Sequence, residues 1–276
     1  MVMEVEVRKG VEFARPNGTP LTGDLYLPSG AASAPVVVSV HGGGWQLGDA
    51  AMHAHWGRWL AERGIALFSV NYRMSDKDRK AYPEAVHDVR NAVQYLRRNA
   101  RSLGIDPERI ALFGDSAGAH LAALVALAGD KPPFSSNDEL STRVKAVVGV
   151  YGVYDMAAQW QHDLSDRPGD SICEKFLGVS LLDDRSTYFD SSPLSWVTRD
   201  VASTAFMLAW GTEDDVVDRH TQSEVFLRAL KQVGCFVRPV IVQGAPHFWN
   251  SEPIEEPGSR SGFLAPRLLR FLKERL

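Results

Sequence analysis

Ser116 lies in the pentapeptide Gly114-Asp115-Ser116-Ala117-Gly118, directly after the apolar run Arg109 to Phe113 and directly before a second apolar stretch from Ala117. A serine on a sharp strand-to-helix turn must take strained backbone angles, and glycines around it remove the clashes such a turn would create. The helix that follows aims its first N–H groups and positive dipole at the same point, which suits an oxyanion. A serine hydroxyl becomes a useful nucleophile only when an imidazole takes its proton and a carboxylate fixes the tautomer of that imidazole. Both partners can be found downstream. His247, in Ala245-Pro246-His247-Phe248-Trp249, follows the run Phe236 to Val242, and the acids Glu213, Asp214 and Asp215 follow the run Ala205 to Trp210. Only one of the three acids can face the imidazole; Asp214 is preferred and Asp215 comes next. The order Ser116, Asp214, His247 is the one expected when a strand-turn-helix nucleophile sits on a doubly covered parallel sheet.

A second glycine cluster, His41-Gly42-Gly43-Gly44-Trp45, follows the run Val36 to Val40. Three glycines let the backbone turn its amides toward a reacting carbonyl, so Gly43 and Gly44 are expected to join Ala117 as oxyanion donors. His41 precedes the turn and reads as a residue that pins the loop. The loop lacks the Lys-Ser/Thr ending of a phosphate loop and the G-x-G-x-x-G of a dinucleotide site, which argues against nucleotide binding. His53, His55, His87, His120, His162 and His220 do not follow an acid at a late strand end and read as structural. Cys173 and Cys235 have no C-x-x-C partner and read as structural too.

These loops need strands to hold them. The runs Val36 to Val40, Ile65 to Val70, Arg109 to Phe113, Val144 to Val150, Ala205 to Trp210 and Phe236 to Val242 are nearly continuous in apolar residues, as strands covered on both faces must be. Helical patterns lie at about Ala51 to Arg63, Tyr82 to Leu103, Ala117 to Ala128, Arg219 to Val233 and Leu264 to Leu276. Alternation in Glu4 to Arg8 and Leu21 to Leu27, around a Pro16-Asn17-Gly18 turn, predicts an antiparallel start. Asp106-Pro107-Glu108 predicts a turn before the third core strand. From about Asp155 to Asp200 the chain is rich in Asp, Ser and aromatic residues, which predicts a small helical cap inserted between two strands.

With 30 Lys+Arg against 34 Asp+Glu in 276 residues, the net charge of −4 argues against a nucleic-acid or anionic-membrane surface. No apolar run approaches the roughly 20 residues that span a bilayer. The N-terminus lacks the pattern of a secretory signal, so the expected location is the cytoplasm.

Taken together, His41 to Trp45, Gly114 to Gly118, Gly211 to Val217 and His247-Phe248 resemble the α/β-hydrolase superfamily, in its esterase/lipase group with an HGGG oxyanion loop. That group includes hormone-sensitive-lipase-like and feruloyl-esterase-like carboxylesterases. Asn71-Tyr72-Arg73, Asp88 and Gly104 to Ile110 share the likeness, and Gly44-Trp45 leans toward the feruloyl-esterase-like and arylformamidase-like branch. The resemblance implies one α/β domain over residues 1–276, with an eight-stranded, mostly parallel sheet and a cap at about 155–200. It implies a serine hydrolase cleaving short-chain acyl or aryl esters through an acyl-enzyme, with Ser116, Asp214 and His247 as triad and no metal or cofactor. The alternatives are an arylformamidase or amide hydrolase with the same triad, and a non-catalytic ligand-binding homologue. Trp45, Trp160, Trp196, Phe248 and Trp249 are expected along the substrate pocket. Small ester substrates are the expected partners, with a homodimer possible through the last strand and helix.

Overall fold

The computed structural model describes residues 2–135 and 140–276. Eight strands form a single sheet in the order β1-β2-β4-β3-β5-β6-β7-β8. The strands are β1 (Val5–Ala14), β2 (Leu21–Pro28), β3 (Ala34–Val40), β4 (Ala66–Val70), β5 (Ile105–Asp115), β6 (Ala146–Val150), β7 (Ala205–Gly211) and β8 (Val237–Val242). β1 and β2 form an antiparallel hairpin, β2 meets β4 antiparallel, and every pairing from β4 to β8 is parallel.

Alternation within buried strands divides the core between the two faces of the sheet. Val36, Val38 and Val40 of β3 pack with one set of side chains, whereas Val37 packs with the other. The first face is covered by α2 (Glu84–Leu103), α3 (Ala117–Ala128) and α7 (Ser223–Gln232), through residues such as Val89, Val93, Leu121, Leu124, Phe226 and Leu230. The second is covered by α1 (Ala54–Ala61) and α8 (Arg260–Arg275), through Trp56, Leu60, Leu268 and Phe271. Both covers are apolar, which is why these strands read as nearly continuous apolar runs.

Several element ends differ from the sequence expectation. α1 is shorter because its first turn is a 3-10 segment, Ala50–His53, capped by the Asp49 side chain on the Ala51 amide. α8 begins four residues early, where the Ser259 hydroxyl accepts from the Gly262 amide. The expected Asp106-Pro107-Glu108 turn is a bulge inside β5: Ala34 is opposite Ile105, but Val36 is opposite Ile110. Asp106 Oδ1 accepts from the Glu108 amide at 2.9 Å and closes that bulge.

Between β6 and β7 the chain makes three short helices, α4 (Met156–Asp166), α5 (Ile172–Leu177) and α6 (Arg185–Ser191). Gln222 ties this insertion to the sheet: its Oε1 accepts from the Tyr154 and Asp155 amides, and its Nε2 donates to the Asp155 carbonyl. Inside the insertion the buried Asp163 carboxylate accepts from Gln159, Arg167, Ser171 and the Ile172 amide, so no oxygen is left unpaired. No helix among the described residues is long and apolar enough to cross a membrane.

Candidate active site

Four loops meet at the C-terminal ends of β3, β5, β7 and β8, the edge at which open α/β sheets gather their ligands. Ser116 occupies the turn between β5 and α3, at φ 51° and ψ −120°. Such angles cost a non-glycine residue about 1–3 kcal/mol and persist only where the surroundings hold them. The Ser116 amide donates to the Val150 carbonyl at 2.9 Å, which anchors the turn to β6. Here the flanking glycines supply room. A Cβ on Gly114 would stand 2.4 Å from the Gly118 backbone, and one on Gly118 would stand 2.0 Å from the Val40 carbonyl oxygen.

His247 Nδ1 lies 2.7 Å from Asp214 Oδ2, and His247 Nε2 lies 3.0 Å from Ser116 Oγ. An ionised carboxylate can only accept, so Nδ1 carries the proton and Nε2 is left to accept from the serine hydroxyl. The other Asp214 oxygen accepts from the Val216 and Val217 amides, at 3.0 and 2.9 Å, which orients the carboxylate. Glu213 and Asp215, the neighbouring acids, are exposed. Ser116 and His247 are themselves buried, at 8 % and 5 % exposure.

The glycine loop after β3 is fixed peptide by peptide. The His41 carbonyl accepts from the Tyr72 hydroxyl at 3.0 Å, while the Gly42 amide of the same peptide donates to Asp115 Oδ1 at 3.0 Å. His41 Nδ1 donates to the Gly42 carbonyl at 2.8 Å, so the N–H of Gly43, trans to it in the next peptide plane, points the opposite way. Gly43 has φ 107°, and its carbonyl accepts from the Gln46 and Leu47 amides. Among the described residues, the amides of Gly43, Gly44 and Ala117 donate to no protein acceptor. His41 also stacks on Tyr72 at 4.5 Å, and burial lowers its pKa, which keeps the ring neutral as a peptide anchor.

Two histidines read as structural in the sequence, His53 and His120, stand directly behind these loops, together with Asp115, to which the sequence assigns no role. Asp115, the residue before the serine, is buried; its Oδ1 also accepts from His53 Nε2 at 2.8 Å, and its Oδ2 accepts from the Tyr151 hydroxyl at 3.4 Å. His53 Nδ1 in turn meets the Ser39 hydroxyl. Burial opposes the charged carboxylate, but the hydrogen bonds from His53 and the Gly42 amide outweigh it and hold Asp115 below the usual carboxylate range. His120, one turn into α3, accepts from Trp45 Nε1 at 3.2 Å and donates through Nε2 to the Ser191 carbonyl at 2.8 Å. Burial pushes its pKa down to about 4.

The expected pocket aromatics are distributed differently from the expectation. Trp45 is fully buried and stacks on Phe176 of the insertion at 4.6 Å. Trp249 is buried against Tyr151, and Trp160 is buried with its Nε1–H on Glu174. Trp196 donates to the Asp190 carbonyl and packs near Phe134 and Lys131, in the segment that follows α3 in sequence. Three of these indoles hand their N–H to a protein acceptor, and all four pack against the hydrophobic core. Phe248 is 60 % exposed, and its ring stands 4.4 Å from that of His247.

This sheet order, with its antiparallel start and strand-end site, is the α/β-hydrolase fold. An esterase from the planctomycete Thermogutta terrifontis, solved with propionate bound, superposes with a TM-score of 0.74 at 23 % identity, over 99 % of this chain and 92 % of that one. Esterase B from Lactobacillus rhamnosis superposes at 0.78 and 22 % identity, over 99 % of this chain and 88 % of that one. The chain belongs to the BD-FAE family, whose sequence model matches residues 23–230. Curated relatives include the probable carboxylic ester hydrolase LipM of Mycobacterium tuberculosis, 31 % identical over 78 % of this chain and 48 % of that protein. Esterase LipC of the same organism is 31 % identical over 87 % of this chain and 58 % of its own length. The chain thus spans about half the length of the curated relatives it matches.

Proposed function

We propose that the protein is a carboxylesterase-type serine hydrolase in which Ser116, His247 and Asp214 form the catalytic triad. The supporting observation is the continuous chain from Ser116 Oγ to His247 Nε2 at 3.0 Å and from His247 Nδ1 to Asp214 Oδ2 at 2.7 Å. Ser116 Oγ attacks the ester carbonyl carbon while its proton passes to His247 Nε2; Asp214 stabilises the imidazolium that results. The tetrahedral oxyanion is held by the amides of Gly43, Gly44 and Ala117. His247 returns the proton to the departing alkoxide and leaves an acyl-Ser116. Water then attacks that acyl group, with His247 as base, and releases the acid and the free serine.

Short acyl or aryl esters are the substrates we infer. Trp45, Phe176 and His120 fill the volume behind the glycine loop, and Phe248 offers an apolar face beside His247. The helical insertion acts as a cap: it borders the site through His120 to Ser191 and through His162, whose Nε2 donates to the Asp215 carbonyl at 3.0 Å. Relatives named as carboxylic ester hydrolase and esterase support the reaction class, as does an esterase of the same fold solved phosphorylated by paraoxon. Paraoxon treatment followed by peptide mass spectrometry tests the nucleophile. One diethylphosphoryl group on the Ser116 peptide is expected, and a label elsewhere, or none, would contradict the assignment.

A further inference from the structure

We propose that Asp115 is a positioning residue for this hydrolysis, a single carboxylate that holds the glycine loop and the histidine loop in register with Ser116. The inference rests on the functional reading above and extends it to a residue outside the triad.

Asp115 is adjacent to Ser116, so its backbone belongs to the nucleophile turn. Its Oδ1 takes the Gly42 amide, 73 residues away in sequence, at 3.0 Å. Through that bond it fixes the His41–Gly42 peptide, whose carbonyl end is already held by Tyr72. The next peptide plane carries the Gly43 N–H. Its Oδ2 takes the Tyr151 hydroxyl at 3.4 Å, and the same hydroxyl oxygen accepts from the Asn250 amide at 3.2 Å. Asn250 lies three residues beyond His247, and the Tyr151 and His247 rings are 4.4 Å apart. The contact with the glycine loop is close-packed: a Cβ on Gly42 would stand 2.8 Å from Asp115 Oδ2 and 3.2 Å from Ser116 Cβ. His53, bonded to Asp115 on one side and to Ser39 of β3 on the other, fixes the carboxylate rotamer. A carboxylate buried at this depth needs several donors to be tolerated. Here those donors come from the loops whose mutual placement decides where an oxyanion and a proton acceptor stand.

The test compares wild type, Asp115→Asn and Tyr151→Phe on p-nitrophenyl acetate, with competent sites counted by paraoxon titration and folding checked by circular dichroism. A trifluoromethyl ketone, which adds to the serine as a tetrahedral adduct, reports the oxyanion geometry. We expect kcat per titrated site to fall about 10- to 100-fold in Asp115→Asn and about 3- to 10-fold in Tyr151→Phe, with KM within about twofold. The ketone Ki should rise by the factor that kcat/KM falls, as a displaced oxyanion hole requires. A kcat per site within twofold of wild type, or a loss of kcat with unchanged ketone affinity, overturns the proposal. If Asp115→Asn does not fold, Tyr151→Phe decides alone. Absence of Ser116-dependent turnover in the wild type would instead overturn the functional reading beneath it.

Discussion

His120 makes stability sensitive to acid in a way that can be isolated. The ring accepts from Trp45 and donates to the Ser191 carbonyl, a pattern open only to the neutral tautomer. Burial holds its pKa near 4, against 6.5 for an unfolded histidine. Because the folded value is depressed, the unfolded chain binds the extra proton first. The His120 contribution is therefore complete above about pH 6.5 and is lost as pH falls from there toward 4. At pH 4.5 the unfolded imidazole is almost fully protonated and the folded one mostly neutral, which costs about 2.5 kcal/mol relative to neutral pH. His120→Gln keeps one acceptor for Trp45 and one donor for Ser191 but cannot ionise. Urea unfolding of both proteins near pH 7.5 and pH 4.5 measures the difference. Wild type should lose about 2 to 3 kcal/mol more than His120→Gln over that interval, the other histidines cancelling between the two. Parallel losses would refute the neutral, buried assignment.

Other outcomes follow from the same geometry. Gly43→Ala would place a Cβ 2.1 Å from the Leu47 carbonyl oxygen at φ 107°, so the loop must shift; kcat on p-nitrophenyl acetate should drop roughly 10²- to 10³-fold, with little change in KM. Arg73 grips the fully buried Asp88 carboxylate with Nε and a terminal nitrogen, at 2.9 and 2.7 Å. Arg73→Ala should therefore lower the urea-derived stability by about 3 kcal/mol or more, by leaving that charge unpaired. Phe248→Ala should leave the urea midpoint unchanged, because the ring is 60 % exposed, yet raise KM for phenyl esters by about threefold or more.

What could be read from the residues, and what could not, divides along range. β3, β4, β6 and β7 were legible because both faces are covered, so almost every position is apolar, the buried Ser39 and Ser69 being the exceptions. The placement of Ser116, the acids and His247 at strand ends was legible because each follows such a run. Asp214 is the acid placed at the imidazole because the Val216 and Val217 amides turn its carboxylate, a local device that residue type alone does not announce. Contacts across long separations were not legible: His53 to Asp115 spans 62 residues and Trp45 to His120 spans 75. The aromatic residues misled for a related reason. Trp45 and Trp249 flank the glycine loop and the His247 loop in sequence, but an indole beside a site can line a cleft or wedge the loop into the core, and the two uses need the same apolar side chain.

The most direct measurement is turnover by wild type and Ser116→Ala on p-nitrophenyl acetate, butyrate, octanoate and laurate, with N-formylkynurenine alongside. The wild type should hydrolyse the short esters fastest, and Ser116→Ala should lose nearly all of that rate, on the order of 10⁶-fold as for other triad nucleophiles. Undiminished ester hydrolysis in Ser116→Ala, or turnover of the formamide alone, would contradict a Ser116-dependent carboxylesterase.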